Sequence, residues 1–240
     1  MKALLLAAGV GKRLWAITQY RPKCLIEFGG KSLLVRHLET LASLGVRRTT
    51  IVVGYKQEMI RKAVGEVYAG VSLDYVVNDQ YHRGSISSLW MARRSLDDDV
   101  VIMDADVLYH REIMRRLLRA THPTCLLMDE SVKQTGEECM VVVRGGRVTA
   151  LTKRMPSAYD YAGEGVGFLK VQHSDADQLV ASLEAHIERD EWDMEYEDGL
   201  REFFSAVTVG HEKIGGLPWT EIDFPEDVEK ATREILPKLD

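Results

Sequence analysis

The sequence predicts an α/β fold, a mixed but mainly parallel sheet with helices on both faces. Three observations carry that prediction. Short apolar runs alternate with segments of helical periodicity through the first half of the chain. Two of these runs, 3–8 and 100–104, are almost wholly apolar, as a strand buried on both sides must be. Both lead into glycine-bearing or acidic turns, where open α/β sheets bind ligands. In order, a strand over 3–8 is followed by a glycine loop. Leu33, Leu34, Leu38, Leu41 and Leu44 give helical spacing over 32–44. The β-branched run 49–53 is a strand, 59–64 a short helix, 73–77 a strand, 87–96 a helix and 100–104 a strand. After about residue 120 the rhythm changes: 124–128, 139–143 and 147–151 read as strands, the last two joined at Gly145-Gly146, a strong hairpin signal. Helices follow over 175–187 and 200–206, then a strand region over 207–214. A closing helix over 225–235 is entered through Asp223 and Pro225. No internal repeat or linker interrupts the chain, so residues 1–240 are expected to form one domain.

Composition narrows the classes. With 240 residues, 45% hydrophobic and 28% charged, the chain is neither disordered nor fibrous. Its 31 basic and 37 acidic residues leave a net charge of −6, the wrong sign for a nucleic-acid partner. Cys24, Cys125 and Cys139 suit neither a disulfide framework nor a zinc site, and seven histidines show no ligand spacing, so a reducing cytoplasm is expected. No apolar run reaches the roughly 18–20 residues needed to span a bilayer, so no membrane role is expected. The opening resembles a signal peptide only superficially, because its apolar run breaks at Gly9 and Gly11 into Lys12-Arg13.

The first candidate site lies in Leu6-Ala7-Ala8-Gly9-Val10-Gly11-Lys12-Arg13, where a strand enters a glycine-bearing basic turn. Glycines let backbone N–H groups close on a phosphate chain, and Lys12 and Arg13 add charge. The turn lacks the Gly-Lys-Ser/Thr of a Walker loop and the third glycine of a dinucleotide fingerprint; taken alone, such a turn is more often structural than phosphate-binding. Asp104-Ala105-Asp106 follows an apolar strand, and Glu221-Ile222-Asp223 precedes the closing helix. Lys23 stands after Arg21-Pro22, and each candidate has a plain alternative: Asp106 as a strand-end turn residue, Asp223 as a helix N-cap and Lys23 as a surface lysine.

Taken together, these segments with Arg21-Pro22-Lys23 and Phe28-Gly29-Gly30-Lys31-Ser32 resemble the nucleotidyltransferases of the sugar-nucleotide pyrophosphorylase superfamily. The opening motif there has the form Leu-Ala-Ala-Gly-x-Gly-x-Arg-Leu, followed by Pro-Lys. The Trp219-Thr220-Glu221-Ile222-Asp223-Phe224-Pro225-Glu226-Asp227 segment is similar to the branch containing phosphocholine, phosphonate and inositol-phosphate cytidylyltransferases, as are Asn78-Asp79-Gln80-Tyr81, Ser88-Leu89-Trp90 and the 163–168 stretch. The resemblance implies a Rossmann-like nucleotidyltransferase fold, with 1–120 as the nucleotide-binding half and 121–240 as the acceptor-binding half. It also implies an enzyme that uses CTP and a small phosphate or phosphonate acceptor and releases pyrophosphate. Sugar-1-phosphate transfer from UTP or dTTP, and a non-catalytic nucleotide-binding module, are the competing classes, and a homodimer is left open.

On that resemblance, Mg²⁺ is expected at Asp106, Asp223 and Glu221, because a hard cation prefers carboxylate oxygens. Lys23 and Arg13 are the catalytic cations, with Lys23 on the α-phosphate and Arg13 on the departing β and γ phosphates. The nucleotide set is Leu6, Ala7, Ala8, Gly9, Gly11, Lys12, Arg13, Asn78, Ser85, Ser88 and Asp104. The acceptor set is Lys153, Glu164, Tyr196 and Trp219. An aromatic and acidic cage for an amine is expected from Tyr159, Tyr161, Trp192, Tyr196 and Trp219 with Glu164, Glu195, Glu197 and Asp198. Two departures bear on specificity: Arg83-Gly84-Ser85-Ile86-Ser87-Ser88 stands where the branch carries paired asparagines, and Met140-Val141-Val142 lacks a lysine expected at the hairpin.

Overall fold

The computed structural model describes residues 1–132 and 134–239. The first half runs β1 (Lys2–Ala7), a 3₁₀ turn (Lys12–Leu14), α1 (Trp15–Thr18), a small hairpin of β2 (Glu27–Phe28) and β3 (Lys31–Ser32), then α2 (Leu33–Ser43), β4 (Arg48–Val53), α3 (Gln57–Val64), β5 (Val67–Tyr68), β6 (Val71–Val77), α4 (Ile86–Met91), β7 (Val100–Asp104), β8 (Val107–Tyr109) and α5 (Arg111–Arg119). The second half adds β9 (Cys125–Asp129), β10 (Met140–Arg144), β11 (Arg147–Thr152), β12 (Tyr161–Val171), α6 (Ala176–Glu188), α7 (Arg201–Ala206), β13 (Gly210–Lys213), β14 (Trp219–Glu221) and α8 (Pro225–Lys230).

Ten strands form one mixed sheet in the order β11-β10-β12-β7-β1-β4-β6-β5, with β9 on β12 and β13 on β9. β1 pairs in parallel with both β4 and β7, and β4 with β6. The alternation of β1 explains its uninterrupted apolar sequence. Ala3, Leu5 and Ala7 face one core with Leu34, Leu38 and Leu41 of α2 and Ile113, Met114 and Leu117 of α5. Leu4 faces a second core with Leu89 of α4, Leu183 of α6 and Phe203 of α7. Helices therefore cover both faces, and each buried leucine contributes roughly 1.5–3 kcal/mol of transfer free energy.

The sequence expectation omits α5 and the short strands β2, β3, β5, β8 and β14, and three further differences stand out. The helix over 87–96 ends at Met91 and continues as a 3₁₀ turn over Arg93–Ser95. The closing helix relaxes into a π turn over Ala231–Ile235. The largest difference is β12, an eleven-residue strand through Gly163, Gly165 and Gly167 that ties β10, β9 and β7 together.

The sheet order creates the site. From β1 the chain crosses through α2 to β4 on one side, whereas β7, reached last, lies on the other. The carboxyl ends of β1 and β7 therefore open onto a topological switch point. The glycine loop leaves β1 there, and Asp104 to Asp106 leave β7 there.

Candidate active site

Gly11 shapes the loop. It adopts φ +67, and a Cβ at this position would lie 2.9 Å from Thr18 Cγ2. The Thr18 hydroxyl satisfies the turn, donating at 2.9 Å to the Gly11 carbonyl and lying 3.1 Å from that of Leu14. The result is a pocket of about 100 Å³ lined by Leu6, Ala7, Gly9, Gly11, Lys23, Cys24, Ala105 and Asp106. Ala8 is turned away: it packs in the core, and its carbonyl accepts from Tyr55 N–H at 3.0 Å.

Glu221 arrives from the far end of the chain at the end of β14, and Asp223 two residues beyond it. This short strand pairs antiparallel with β8, placing Glu221 opposite Val107, and Ile222 N–H donates to the Asp106 carbonyl at 3.1 Å. Asp106, Glu221 and Asp223 each offer a carboxylate oxygen, all within 4.8 Å of one another. Lys23 Nζ donates to Asp106 Oδ2 at 2.7 Å and also to Asp223 Oδ1. Arg13 donates to Asp223 Oδ2 at 2.9 Å and lies over the Phe224 ring, 5.1 Å from its centroid. Asp223 is therefore no helix cap; Asp227 accepts from the N–H groups of Asp223 and Phe224 at 2.9 and 2.7 Å and fixes the turn instead.

These residues fit a divalent cation. Asp106 Oδ1 is buried and makes no hydrogen bond among the described residues, and the three carboxylates converge with an ammonium between two of them. An all-oxygen donor set of this kind is what magnesium takes.

The site's ionisable groups separate into two kinds. Burial works against the charge on Lys23, but Asp106, Asp223 and Glu221 outweigh it and raise the ammonium's pKa above the ordinary value. Burial would raise Asp223, yet Lys23 and Arg13 bring it below the usual carboxylate range. Glu221, Asp104, Glu197 and Glu164 move the other way. Crowding by protein and by Asp106 and Asp223 raises Glu221, although its side chain reaches the surface. Burial with Glu197 and Asp106 nearby raises Asp104 well above the usual range. Burial, with Glu195 and Asp198, pushes Glu197 to about 8, and burial with Glu138 and Asp129 pushes Glu164 to about 7.

The other expected site residues divide between the cleft and the scaffold. Lys153 is exposed, but its charge reaches the cleft, helping to lower Asp223 and Glu197. Lys12 is exposed and makes no ion pair among the described residues. Asn78 is fully buried, and its amide is used internally: Nδ2 donates to Ser87 Oγ and Ser88 Oγ, both at 2.9 Å, and Oδ1 accepts from Gln80 N–H at 2.9 Å. Ser85 Oγ donates to Glu195 at 2.5 Å and accepts from Tyr196 N–H at 2.8 Å. Trp219 is largely buried, with its indole N–H on Asp129 Oδ2 at 2.8 Å.

The expected aromatic cage is not assembled. Tyr161 pairs with His211 at 2.8 Å, Trp192 lies beneath the Arg83 guanidinium, Tyr159 is exposed, and the Tyr196 hydroxyl donates to Asp104 Oδ2 at 3.0 Å. Arg83, which opens the segment that departs from the branch's paired asparagines, makes a two-pronged bond to Asp193 at 3.1 and 2.8 Å. Asp129 was missed by sequence reasoning. Its signal was available: it ends an apolar strand as Asp104 does, and the register sets it opposite Glu164.

Cleft geometry, sheet order and a lysine held between convergent carboxylates define a nucleotidyltransferase-like protein. Residues 3–160 match the model of the MobA-like NTP transferase domain, and the chain belongs to that family. The CMP-5'-(3-aminopropyl)phosphonate synthase of Streptomyces rubellomurinus is 29% identical over 250 residues, an alignment covering 99% of this chain but 39% of that protein. The CTP:phosphoglutamine cytidylyltransferase of Campylobacter jejuni is 21% identical over 255 residues, covering 95% of this chain and 98% of that one. Among solved structures, the CTP:phosphocholine cytidylyltransferase of Streptococcus pneumoniae matches with a TM-score of 0.76 at 24% identity, over 96% of this chain and 97% of that one, a likeness of fold. No helix among the described residues is long and apolar enough to cross a membrane.

Proposed function

We propose that the protein is a CTP-dependent cytidylyltransferase that joins CMP to a small phosphate or phosphonate acceptor and releases pyrophosphate. The observation that carries the reading is Lys23 bridging Asp106 and Asp223 at the mouth of the glycine loop, with Glu221 beside them. The two substrates are anions that repel each other in water, and fixed cations in a preorganised site lower that barrier. Mg²⁺, bound by Asp106, Glu221 and Asp223, would supply Lewis-acid charge to the triphosphate.

The chain's own groups do the rest. Loop amides between Gly9 and Gly11 and the guanidinium of Arg13 hold the β and γ phosphates. Lys23 holds the α-phosphate and neutralises the charge that builds as phosphorus becomes five-coordinate. An acceptor oxygen forms the new bond to the α-phosphorus, the bond to the β-phosphate bridging oxygen breaks, and pyrophosphate takes the electron pair. A phosphate or phosphonate dianion needs no general base.

The acceptor half supports an amine-bearing substrate. Asp129, Glu138 and Glu164 gather carboxylates on one flank, and Glu197 with Glu195 and Asp198 on another; these carboxylates, rather than an aromatic cage, would hold the ammonium. The names of the two curated relatives, an aminopropylphosphonate synthase and a phosphoglutamine cytidylyltransferase, agree with CTP and a nitrogen-bearing acceptor. The test is pyrophosphate release with Mg²⁺ from CTP, UTP, dTTP and GTP, each against phosphocholine, aminoethylphosphonate, a carboxylated phosphonate and glucose 1-phosphate. Fastest turnover of CTP with an amine-bearing acceptor is expected. Preference for UTP or dTTP with the sugar phosphate would overturn the reading, and preference for the carboxylated phosphonate would overturn the amine assignment.

A further inference from the structure

Two segments distant in sequence are zipped together beside the cleft. Gly84 N–H donates to the Trp192 carbonyl at 2.9 Å and Ile86 N–H to that of Met194 at 3.2 Å. The backbones approach so closely that a Cβ on Gly84 would lie 2.0 Å from the Met194 oxygen. The outer end is fastened by Arg83 on Asp193. The inner end leads into the site: Ser85 Oγ takes the Tyr196 N–H, and the Tyr196 hydroxyl, from a ring 3% exposed, donates to Asp104 Oδ2. Asp104 is held from a third side by Gly167. This residue, at φ +76, lies where β12 shifts register, and a Cβ there would come within 2.6 Å of Asp104 Oδ2.

We infer that Tyr196, anchored by Ser85, is a positioning residue that fixes the Asp104 carboxylate for nucleotide binding rather than a residue that touches the acceptor. The geometry explains why a chain segment from the second half is needed by the first. One oxygen of Asp104 is taken by the Tyr196 hydroxyl and crowded by Gly167, so the other is directed without rotational freedom, two residues from Asp106 at the end of β7. Preorganisation of this kind lowers the cost of ordering on binding. Phenol is the group that serves: its ring fills the core between the sheet and α6 while its single O–H reaches a buried carboxylate. The nucleotide site would then be complete only with the 192–196 segment docked on 83–86.

The inference rests on the proposed function, and the experiment separates the two. Calorimetric affinities for the Mg²⁺ complexes of CTP, UTP, dTTP and GTP are measured for the wild type, then the best-bound nucleotide is used for Tyr196→Phe, Asp104→Asn and the double variant, alongside KM for nucleotide and for aminoethylphosphonate. Tyr196→Phe keeps the packed ring, so its melting temperature should stay within a few degrees of wild type while nucleotide affinity falls about tenfold. Asp104→Asn should lose as much or more, the double variant no more than Asp104→Asn alone, and the acceptor KM should stay unchanged in Tyr196→Phe. Losses that multiply, an unchanged nucleotide affinity in Tyr196→Phe, or a loss confined to the acceptor KM would overturn the inference while leaving the proposed function in place. A wild type that binds none of the four nucleotides would overturn both.

Discussion

The cleft contains two groups of carboxylates that differ in how they are answered. At the mouth of the glycine loop, Asp106 and Asp223 face Lys23, and Asp223 also faces Arg13, so Asp223 is held below the usual carboxylate range. Deeper, burial is reinforced by Glu197 at Asp104, by Glu195 and Asp198 at Glu197, and by Glu138 and Asp129 at Glu164, and Asp104, Glu197 and Glu164 rise. Asp223 and these three carboxylates move in opposite directions although the residue types are the same, because cations answer Asp223 and burial governs the others. Asp223 is thereby held in its charged form, and on the proposed function it would present, with Asp106, a corner for metal and triphosphate. In the second group, burial and neighbouring carboxylates favour the protonated form, and a cationic acceptor group beside Glu164 and Glu197 would draw them back to the charged one.

The largest expected effect breaks the first group. Asp106→Ala and Asp223→Ala should each lower turnover by about three orders of magnitude or more while the protein still melts cooperatively, since strand-end carboxylates contribute to the cleft and not to the core. Lys23→Ala comes next: a loss of about 10²–10³-fold falling mainly on kcat, because its charge is most needed in the transition state. Wild-type turnover in the Lys23 variant would remove it from the chemistry. Gly167→Ala follows, with roughly a tenfold loss in kcat/KM, because its new methyl group collides with Asp104 and strains a backbone at positive φ.

The smallest effect sharpens the contrast through pH. Glu164 rises from an ordinary 4.5 to about 7 on folding, so the folded state binds the proton more tightly and stability falls as pH climbs through that window. Asp223 does the reverse: its contribution is present above its unfolded value and fades as pH drops below it. Glu164→Gln should therefore raise stability at pH 8 by on the order of 1 kcal/mol after solvent screening, and leave it nearly unchanged at pH 4. Melting curves at the two pH values check this, and an equal shift at both would refute the electrostatic cause.

The strands β1 and β7 were legible because continuous apolar runs leave few alternatives, and the glycine loop and Asp106 follow those runs directly, whereas Lys23 and Asp223 were marked by the motifs of the family resemblance. β12 was not legible: Gly163, Gly165 and Gly167 remove every second side chain, erasing the alternation that marks a strand. β14 was hidden by its length of three residues, and with it the means by which Glu221 reaches Asp106. Asn78 and Trp219 show the other limit. A polar atom in a motif carries no sign of whether it faces substrate or protein; here the amide brackets Ser87 and Ser88, and the indole holds Asp129. The aromatic cage failed for the same reason, since proximity in sequence around 159–164 and 192–198 does not bring rings to one point.

The central claim is that Asp106, Glu221 and Asp223 form the metal corner while Asp104, Glu197 and Glu164 do not. Mn²⁺ titration by calorimetry, with the metal alone, tests it on the wild type, Asp223→Asn and Glu164→Gln. The account predicts one site in the wild type, its affinity lowered at least tenfold in Asp223→Asn and unchanged in Glu164→Gln. Wild-type affinity in Asp223→Asn, or a loss only in Glu164→Gln, would contradict it.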